Sequence, residues 1–147
     1  MQVKFYYQNN NYVKEHEALL TSLAIAVSQI IELPDTVEVC LYPLEENVYG
    51  GIDINRVNRI GLNINLSLES QLKILVHELI HVSQKHLGLL KIKPSGLCYW
   101  QGIPYSNKPP DEMTHEEYTN LPWELDVQHH QTKVLQQALD ILKNEQH

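Results

Sequence analysis

The amino-acid sequence predicts an α+β fold in which a small, mostly antiparallel sheet packs against helices. Apolar residues alternate in short segments of the first half of the chain, which is the pattern of strands with one buried face. In three longer segments they recur at intervals of three and four residues, which is the pattern of a helix face. The chain has 147 residues, of which 43% are hydrophobic. We therefore expect a single domain over residues 1–147 with its own core.

The first half of the chain changes several times between these two patterns. Val3, Phe5 and Tyr7 begin it with a clear alternation. The first helical pattern must end before Pro34, because proline cannot continue the helical hydrogen bonds. The sequence predicts, in order, a strand over 3–7, a helix over 12–31, a strand over 37–41 and a hairpin over 48–66 with its turn at 55–58.

The second half of the chain predicts two further helices. The Ser67 hydroxyl is suited to cap the first of them, and Gly88 is suited to end it. Residues 91–120 are rich in proline and glycine and predict a long loop, with room for one short hairpin. The segment "NLPWEL" opens the last helix, with Pro122 in its first turn.

Charge and cysteine content exclude several classes of protein. A formal net charge of -7 argues against nucleic acid or an anionic membrane surface as the main partner, because both reward clustered lysine and arginine. Cys40 and Cys98 are far apart and predict neither a disulfide framework nor a thiolate zinc site. The N-terminus lacks a signal-peptide pattern, and no segment approaches the ~20 apolar residues that span a bilayer. We expect a soluble, cytoplasmic protein.

The segment "ILVHELIHVSQ" places polar groups inside an otherwise apolar helical pattern. His77 and His81 are four residues apart, so their imidazoles project from one face of the helix and can converge on one ion. Eight histidines in the chain make a chance match possible. Unpaired histidine and glutamate in an apolar environment would however cost several kcal/mol. The capped amphipathic helix therefore favours a metal site.

Glu78 has the position of a general base. It lies next to the first histidine, rotated by about 100° around the helix, where it can reach a water on the metal without binding the metal itself. Zinc would lower the pKa of that water to about 7 and polarise the scissile carbonyl. Glu78 would accept the proton and later pass it to the leaving amine.

"VHELIH" at 76–81 resembles the active-site helix of the zincin metallopeptidases. "LPWELDV" at 121–127 resembles the Pro-Trp-Glu segment of small metallopeptidase-like proteins of bacteria and phages, and the E-x-x-A helix of the ImmA/IrrE-like peptidases. The resemblance implies a twisted sheet packed on the active-site helix and a gluzincin-like site, with Glu124 as the third zinc ligand. The sequence departs from the family pattern at Asp126 and Val127, where glutamate and alanine are usual.

The third ligand has alternatives in Asp126, His115, His129 and His130. Asp126 is rotated by about 200° from Glu124 on a regular helix, so both carboxylates cannot face the same metal. The apolar pattern around Trp123 and the resemblance favour Glu124. We therefore expect zinc to be bound by His77, His81 and Glu124.

Other polar and aromatic residues precede the last helix. Tyr99, Trp100, Tyr105 and Tyr118 are candidates to pack the loop over the core, and a phenol among them could donate a hydrogen bond to a developing oxyanion. His115, Glu116 and Glu117 are either a solvated acidic run or partners that orient a ligand imidazole.

The predicted function is zinc-dependent hydrolysis of peptide bonds in a protein or peptide substrate, by a selective endopeptidase with Glu78 as general base. Two alternatives stay open: a metal-stabilised binding or regulatory protein without proteolytic activity, and a zinc amidase that acts on non-protein substrates. Zincins usually bind an extended peptide as an added strand, so the strand at 48–54 is expected to be the substrate-binding edge. Gly50 and Gly51 would allow a close approach of the peptide backbone, unless they only form a β-bulge.

Overall fold

The computed structural model describes residues 1–7, 14–42, 50–52, 58–105 and 112–145, and within these ranges the fold is α+β with four helices and two small sheets. The predicted fold class is therefore confirmed at this level. The elements are β1 (Gln2–Tyr7), α1 (Lys14–Ser28), β2 (Thr36–Tyr42), β3 (Gly50–Ile52), β4 (Arg59–Asn63), α2 (Leu68–His86), β5 (Leu90–Ile92), β6 (Cys98–Trp100), β7 (Ile103–Pro104), α3 (His115–Thr119) and α4 (Pro122–Glu145).

The first sheet has the strand order β1-β2-β4-β3 and is mainly parallel. Strand β2 pairs in parallel with both β1 and β4, and only the edge strand β3 runs antiparallel to its neighbour. The prediction of a mostly antiparallel sheet was therefore wrong for this sheet. Alternation of apolar residues is the same in either strand direction, whereas the helix α1 between β1 and β2 is the crossover that parallel neighbours need.

The predicted loop at 91–120 contains more regular structure than expected. Strands β5, β6 and β7 form a three-stranded antiparallel sheet, where the sequence predicted room for one hairpin. These strands have two or three residues each, which is too short for an alternating pattern to be recognised. Helix α3 follows and begins with a capping box, in which the Thr114 hydroxyl accepts from the Glu117 N–H at 3.0 Å.

Several element boundaries differ from the predicted ones. Helix α1 ends at Ser28 rather than at 31, because the N–H groups of Ile30 and Ile31 both bond to the Val27 carbonyl in a closing turn. Strand β4 ends at Asn63, so the predicted hairpin does not continue to 66. The start of the first helix at 12–13, the ends of the 48–54 strand and most of the predicted turn at 55–58 lie outside the described residues.

The hydrophobic core lies between the first sheet and helices α1, α2 and α4. Its fully buried members include Leu23 of α1, Val39 of β2, Leu62 of β4, Leu79 of α2 and Val127 of α4. Helix α4 packs on both α1 and α2, and α2 also packs on β3 and β4. This arrangement fixes α2 between the sheet and α4. None of the helices in the described ranges is long and apolar enough to cross a membrane.

The ends of α2 follow the sequence prediction. The Ser67 hydroxyl accepts a hydrogen bond from the Ser70 N–H at 3.2 Å, as expected for an N-cap. After the helix ends, Gly88 adopts a positive φ of 76°, which costs glycine little and other residues more. Both ends of the helix are therefore determined by local sequence.

Leu79→Ala tests the role of α2 in the core. Leu79 is fully buried, so the substitution should lower the free energy of unfolding by about 2–5 kcal/mol, measured by urea denaturation. Leu139→Ala is the matched control, because Leu139 is 39% exposed on α4 and should lose much less. Equal losses in the two variants would contradict this account of the core.

Candidate metal centre

The structure brings together three side chains from two helices: His77 and His81 of α2 and Glu124 of α4. One nitrogen or oxygen atom of each lies within 4.8 Å of the others. Nε2 of His81 is 2.9 Å from Oε1 of Glu124, and Nε2 of His77 is 3.5 Å from Oε2 of the same carboxylate. This group could hold a metal ion.

Local sequence explains why these side chains meet. The four-residue spacing puts both histidines on one face of α2, and their ring centroids are 5.0 Å apart. Glu124 lies in the first turn of α4, where Trp123 and Val127 are buried and hold that turn against the body of the protein. The two helices pack on each other, so the carboxylate arrives in front of the two imidazoles.

Each imidazole has a glutamine partner on its other nitrogen. Nδ1 of His77 is hydrogen-bonded to Oε1 of Gln131 at 2.9 Å, and Nδ1 of His81 to Oε1 of Gln84 at 2.8 Å. The amide of Gln84 has a defined orientation, because its Nε2 donates to the carbonyl oxygen of Trp123 at 3.0 Å and to Oδ2 of Asp126 at 2.9 Å. Nδ1 of His81 must therefore be the donor to Gln84.

The position of the proton on His81 affects whether a metal ion fits between the side chains. With the proton on Nδ1, a neutral His81 has a lone pair on Nε2, which faces a carboxylate oxygen of Glu124 at 2.9 Å. Two acceptors at that distance repel each other unless a proton or a cation lies between them. Two imidazole nitrogens and a carboxylate are also a ligand set used by divalent transition metals. The residues present therefore fit such an ion.

The electrostatics of the group favour an ionised carboxylate. Burial alone would raise the pKa of Glu124, but the polar and charge interactions with His77 and His81 together outweigh burial and lower this pKa to about 2. Burial opposes the charged form of His77, yet its bonds to Glu124 and Gln131 leave its pKa raised. The ionised carboxylate of Glu124 thus faces the two imidazoles.

The pKa of Glu78 shifts in the opposite direction to that of Glu124. It is only 7% exposed, and burial raises its pKa, although the nearby imidazoles of His81 and His77 partly offset the effect. A carboxylate with a raised pKa accepts a proton more readily near neutral pH. The position next to His77 and this raised pKa are the properties that a general base needs.

A cleft of about 740 Å³ opens in front of the group. Helices α2, α3 and α4 line it, and its walls include His77, Glu78 and Glu124 together with Tyr118. Burial, followed by the charge of Glu124, raises the pKa of the Tyr118 phenol. The phenol is therefore a neutral hydrogen-bond donor at the cleft.

The alternative third ligands are not members of this group. Asp126 accepts from Gln84, and its other oxygen is 3.3 Å from Nε2 of His130 on the surface. His115 is exposed on the wall of the cleft, and His129 is exposed on α4. Among the described residues, the three-membered group contains none of these four side chains.

The aromatic residues that precede α4 have different surroundings. The Tyr105 ring meets the Trp123 ring edge-on with centroids 6.0 Å apart, and the Lys93 ammonium lies 5.7 Å from the Tyr99 ring centroid. Trp100 is half-buried in β6. Tyr118 is the member of this set that lines the cleft together with Glu124. Tyr99 and Tyr105 therefore pack against neighbouring side chains, whereas Tyr118 lines the cleft.

Sequence reasoning did not identify Gln84 and Gln131, although their spacing contained a signal. Gln84 is three residues after His81 on the same helix, so the two side chains are neighbours on its surface. Gln131 is seven residues after Glu124, which is about two turns along the same face of α4. A search for hydrogen-bond partners one or two turns from each expected ligand would have found both.

In comparisons with protein-family models, with curated proteins and with solved structures, no match to this chain was found.

Metal content tests the group directly. We expect one divalent metal ion per chain, measured by elemental analysis of protein purified without a polyhistidine tag. His77→Ala and Glu124→Ala should each reduce the bound metal sharply, because each removes one of the three converging groups. His129→Ala is the matched control, since this exposed histidine lies outside the group and its loss should leave metal content unchanged. Sub-stoichiometric metal that added zinc cannot restore would refute the expectation.

Proposed function

We propose that the chain is a zinc-dependent peptide hydrolase, in which His77, His81 and Glu124 bind zinc and Glu78 is the general base. The observation that carries this proposal is the meeting of two imidazoles and a carboxylate at a cleft that Glu78 also lines. A structural zinc site normally has four protein ligands, whereas a catalytic one has three and leaves a position open. The group has three members among the described residues, which favours the catalytic type.

The chemistry divides between the ion and the side chains. When bound, zinc supplies a water of lowered pKa and a Lewis acid for the scissile carbonyl. Glu78 accepts a proton from the attacking water on its carboxylate and gives it to the nitrogen of the leaving amine. Its burial suits both transfers, because the raised pKa reduces the free-energy difference between its two protonation states near neutral pH. The Tyr118 hydroxyl lies at the same cleft as a candidate donor to the substrate oxygen.

The fold supports a zincin-like assignment in outline. The helix that carries "HELIH" packs on the four-stranded sheet, and the proposed third ligand comes from the later helix α4. Strand β3 lies at the edge of that sheet, antiparallel to β4, and α2 packs against it. An extended peptide added to β3 would then lie beside the active-site helix.

Glu78→Gln tests the mechanism. The amide keeps the shape of the side chain but cannot accept the proton, so hydrolysis should fall by at least about 100-fold while zinc content stays unchanged. Cleavage of a diverse peptide library, followed by mass spectrometry with and without a chelator, supplies the assay. Glu32→Gln makes the same change at an exposed site after α1 and should keep full activity.

Each failure in this experiment has a distinct meaning. Loss of zinc together with activity would make Glu78 a ligand rather than a base. Zinc-loaded wild-type protein that cleaves no peptide would instead favour a metal-stabilised binding protein, or an amidase for non-protein substrates. A comparison of proteomes exposed to the wild type and to Glu78→Gln would then identify any protein substrate that the library lacks.

Gly51→Val tests strand β3 as the substrate-binding edge. Gly51 pairs with Gly61 of β4, and a branched side chain on the edge strand would hinder the close approach of a peptide backbone. We expect a higher KM for peptides with zinc retained. Lys4→Val is the control, because it adds the same side chain to β1 at the opposite edge of the sheet. Unchanged peptide kinetics in Gly51→Val would exclude this edge.

A further inference from the structure

We propose that Gln84 is the positioning residue of the metal centre, because its single carboxamide fixes a proposed ligand from each of the two helices. The inference rests on the metal site of the proposed function and does not depend on the reaction that the site performs. Gln84 is 2% exposed and lies on α2 where this helix meets the start of α4.

The Gln84 carboxamide forms hydrogen bonds through its oxygen and through both hydrogens of its nitrogen. Oε1 accepts from Nδ1 of His81 at 2.8 Å, while the two Nε2 hydrogens go to the Trp123 carbonyl at 3.0 Å and to Oδ2 of Asp126 at 2.9 Å. One face of the side chain therefore accepts and the other donates. A buried amide with these three partners has a fixed orientation.

The accepting oxygen of Gln84 determines the tautomer of His81. A carbonyl oxygen accepts only a hydrogen, so Nδ1 of His81 carries the proton and Nε2 is left for the metal. The same bond fixes the rotation of the imidazole ring about its side chain. His81 is thus presented with the correct nitrogen in the correct direction before an ion arrives.

The donating face determines the position of Glu124. Trp123 precedes Glu124 directly and Asp126 follows it by two residues, so the bonds from Gln84 hold the backbone before this ligand and a side chain after it. They join residues that are 39 and 42 positions apart in the chain. The start of α4 is thereby held against α2 at the point where the carboxylate must face the imidazoles.

Few other side chains could make these three bonds. Glutamate could still accept from His81 but could not donate to Trp123, and it would place a second carboxylate beside Asp126. Methionine has a similar length but makes none of the three bonds. Both substitutions preserve the approximate size of the side chain, so they separate hydrogen bonding from packing.

The experiment measures zinc affinity by competition with a chromophoric chelator, together with the visible spectrum of the cobalt-loaded protein. Gln84→Glu and Gln84→Met should each bind zinc about 10–100-fold more weakly than the wild type. Their cobalt spectra should also change, because the ligands are held less firmly. Gln137→Glu is the matched control on the exposed face of α4 and should bind zinc as the wild type does. Circular dichroism of each metal-free variant checks that it is folded.

An exchange of donor and acceptor gives the sharpest test. In Gln84→Glu/Asp126→Asn, the new amide at 126 can donate to the new carboxylate at 84, so the pair is restored with its roles reversed. We expect the double variant to bind zinc more tightly than Gln84→Glu alone, with non-additive changes in the mutant cycle. Should Gln84→Glu fail to fold, Gln84→Met alone decides through its zinc affinity.

The outcomes separate this inference from the proposed function. Wild-type affinity in folded Gln84→Met, or no recovery in the double variant, overturns the positioning role and leaves the hydrolase proposal standing. Weakened zinc affinity of the Gln84 variants, together with a zinc-loaded wild type that hydrolyses no peptide, supports the positioning role and refutes the hydrolase proposal. A wild-type chain that binds no zinc refutes both.

Discussion

The contact between α2 and the start of α4 is the constraint on which the rest of the site depends. Polar side chains are buried there, and a buried polar group without a partner costs about 1–3 kcal/mol. Within the described ranges, every buried side-chain nitrogen and oxygen has a hydrogen-bond partner. Around His81 these partners come from both helices, through Gln84 and Glu124. The two helices can therefore pack in this register only if the polar groups of the site are correctly aligned. The contacts that pack the helices are also the contacts that form the site.

The sheet also restricts the position and rotation of α2. Leu79 and Val76 of α2 are buried in the core while His77 and Glu78 face the cleft, so the helix cannot rotate without exposing apolar surface. The parallel strands β2 and β4 bury one face in the core, against the helices. Strand β3 differs because it is antiparallel and lies at the edge. The interior of the sheet thus fixes the helix, and its edge is the part that a partner strand could use.

The sequence was sufficient for features with a local cause and insufficient for those with a tertiary one. Ser67 and Gly88 delimit α2 through hydroxyl capping and a positive φ, and both were predicted. Strand direction was predicted wrongly, because alternation in β1, β2 and β4 contains no information about which way a neighbour runs. The very short strands β5 to β7 gave no readable period. The spacing of His77 and His81 is set within one helix, whereas the approach of Glu124 depends on a later helix, and only the burial pattern and the Pro-Trp-Glu resemblance pointed to it.

The two imidazoles differ in a way that the common histidine motif does not reveal. The His81 side chain is 5% exposed and is enclosed by Glu124 and the buried Gln84, whereas the His77 side chain is 28% exposed and borders the cleft. Desolvation makes misplacement of His81 costly, so its geometry is fixed by the fold. His77 is only partly enclosed at the cleft, where Gln131 is hydrogen-bonded to its Nδ1. An ion entering from the cleft would therefore reach the partly exposed His77 before the enclosed His81, whose position the fold has already fixed.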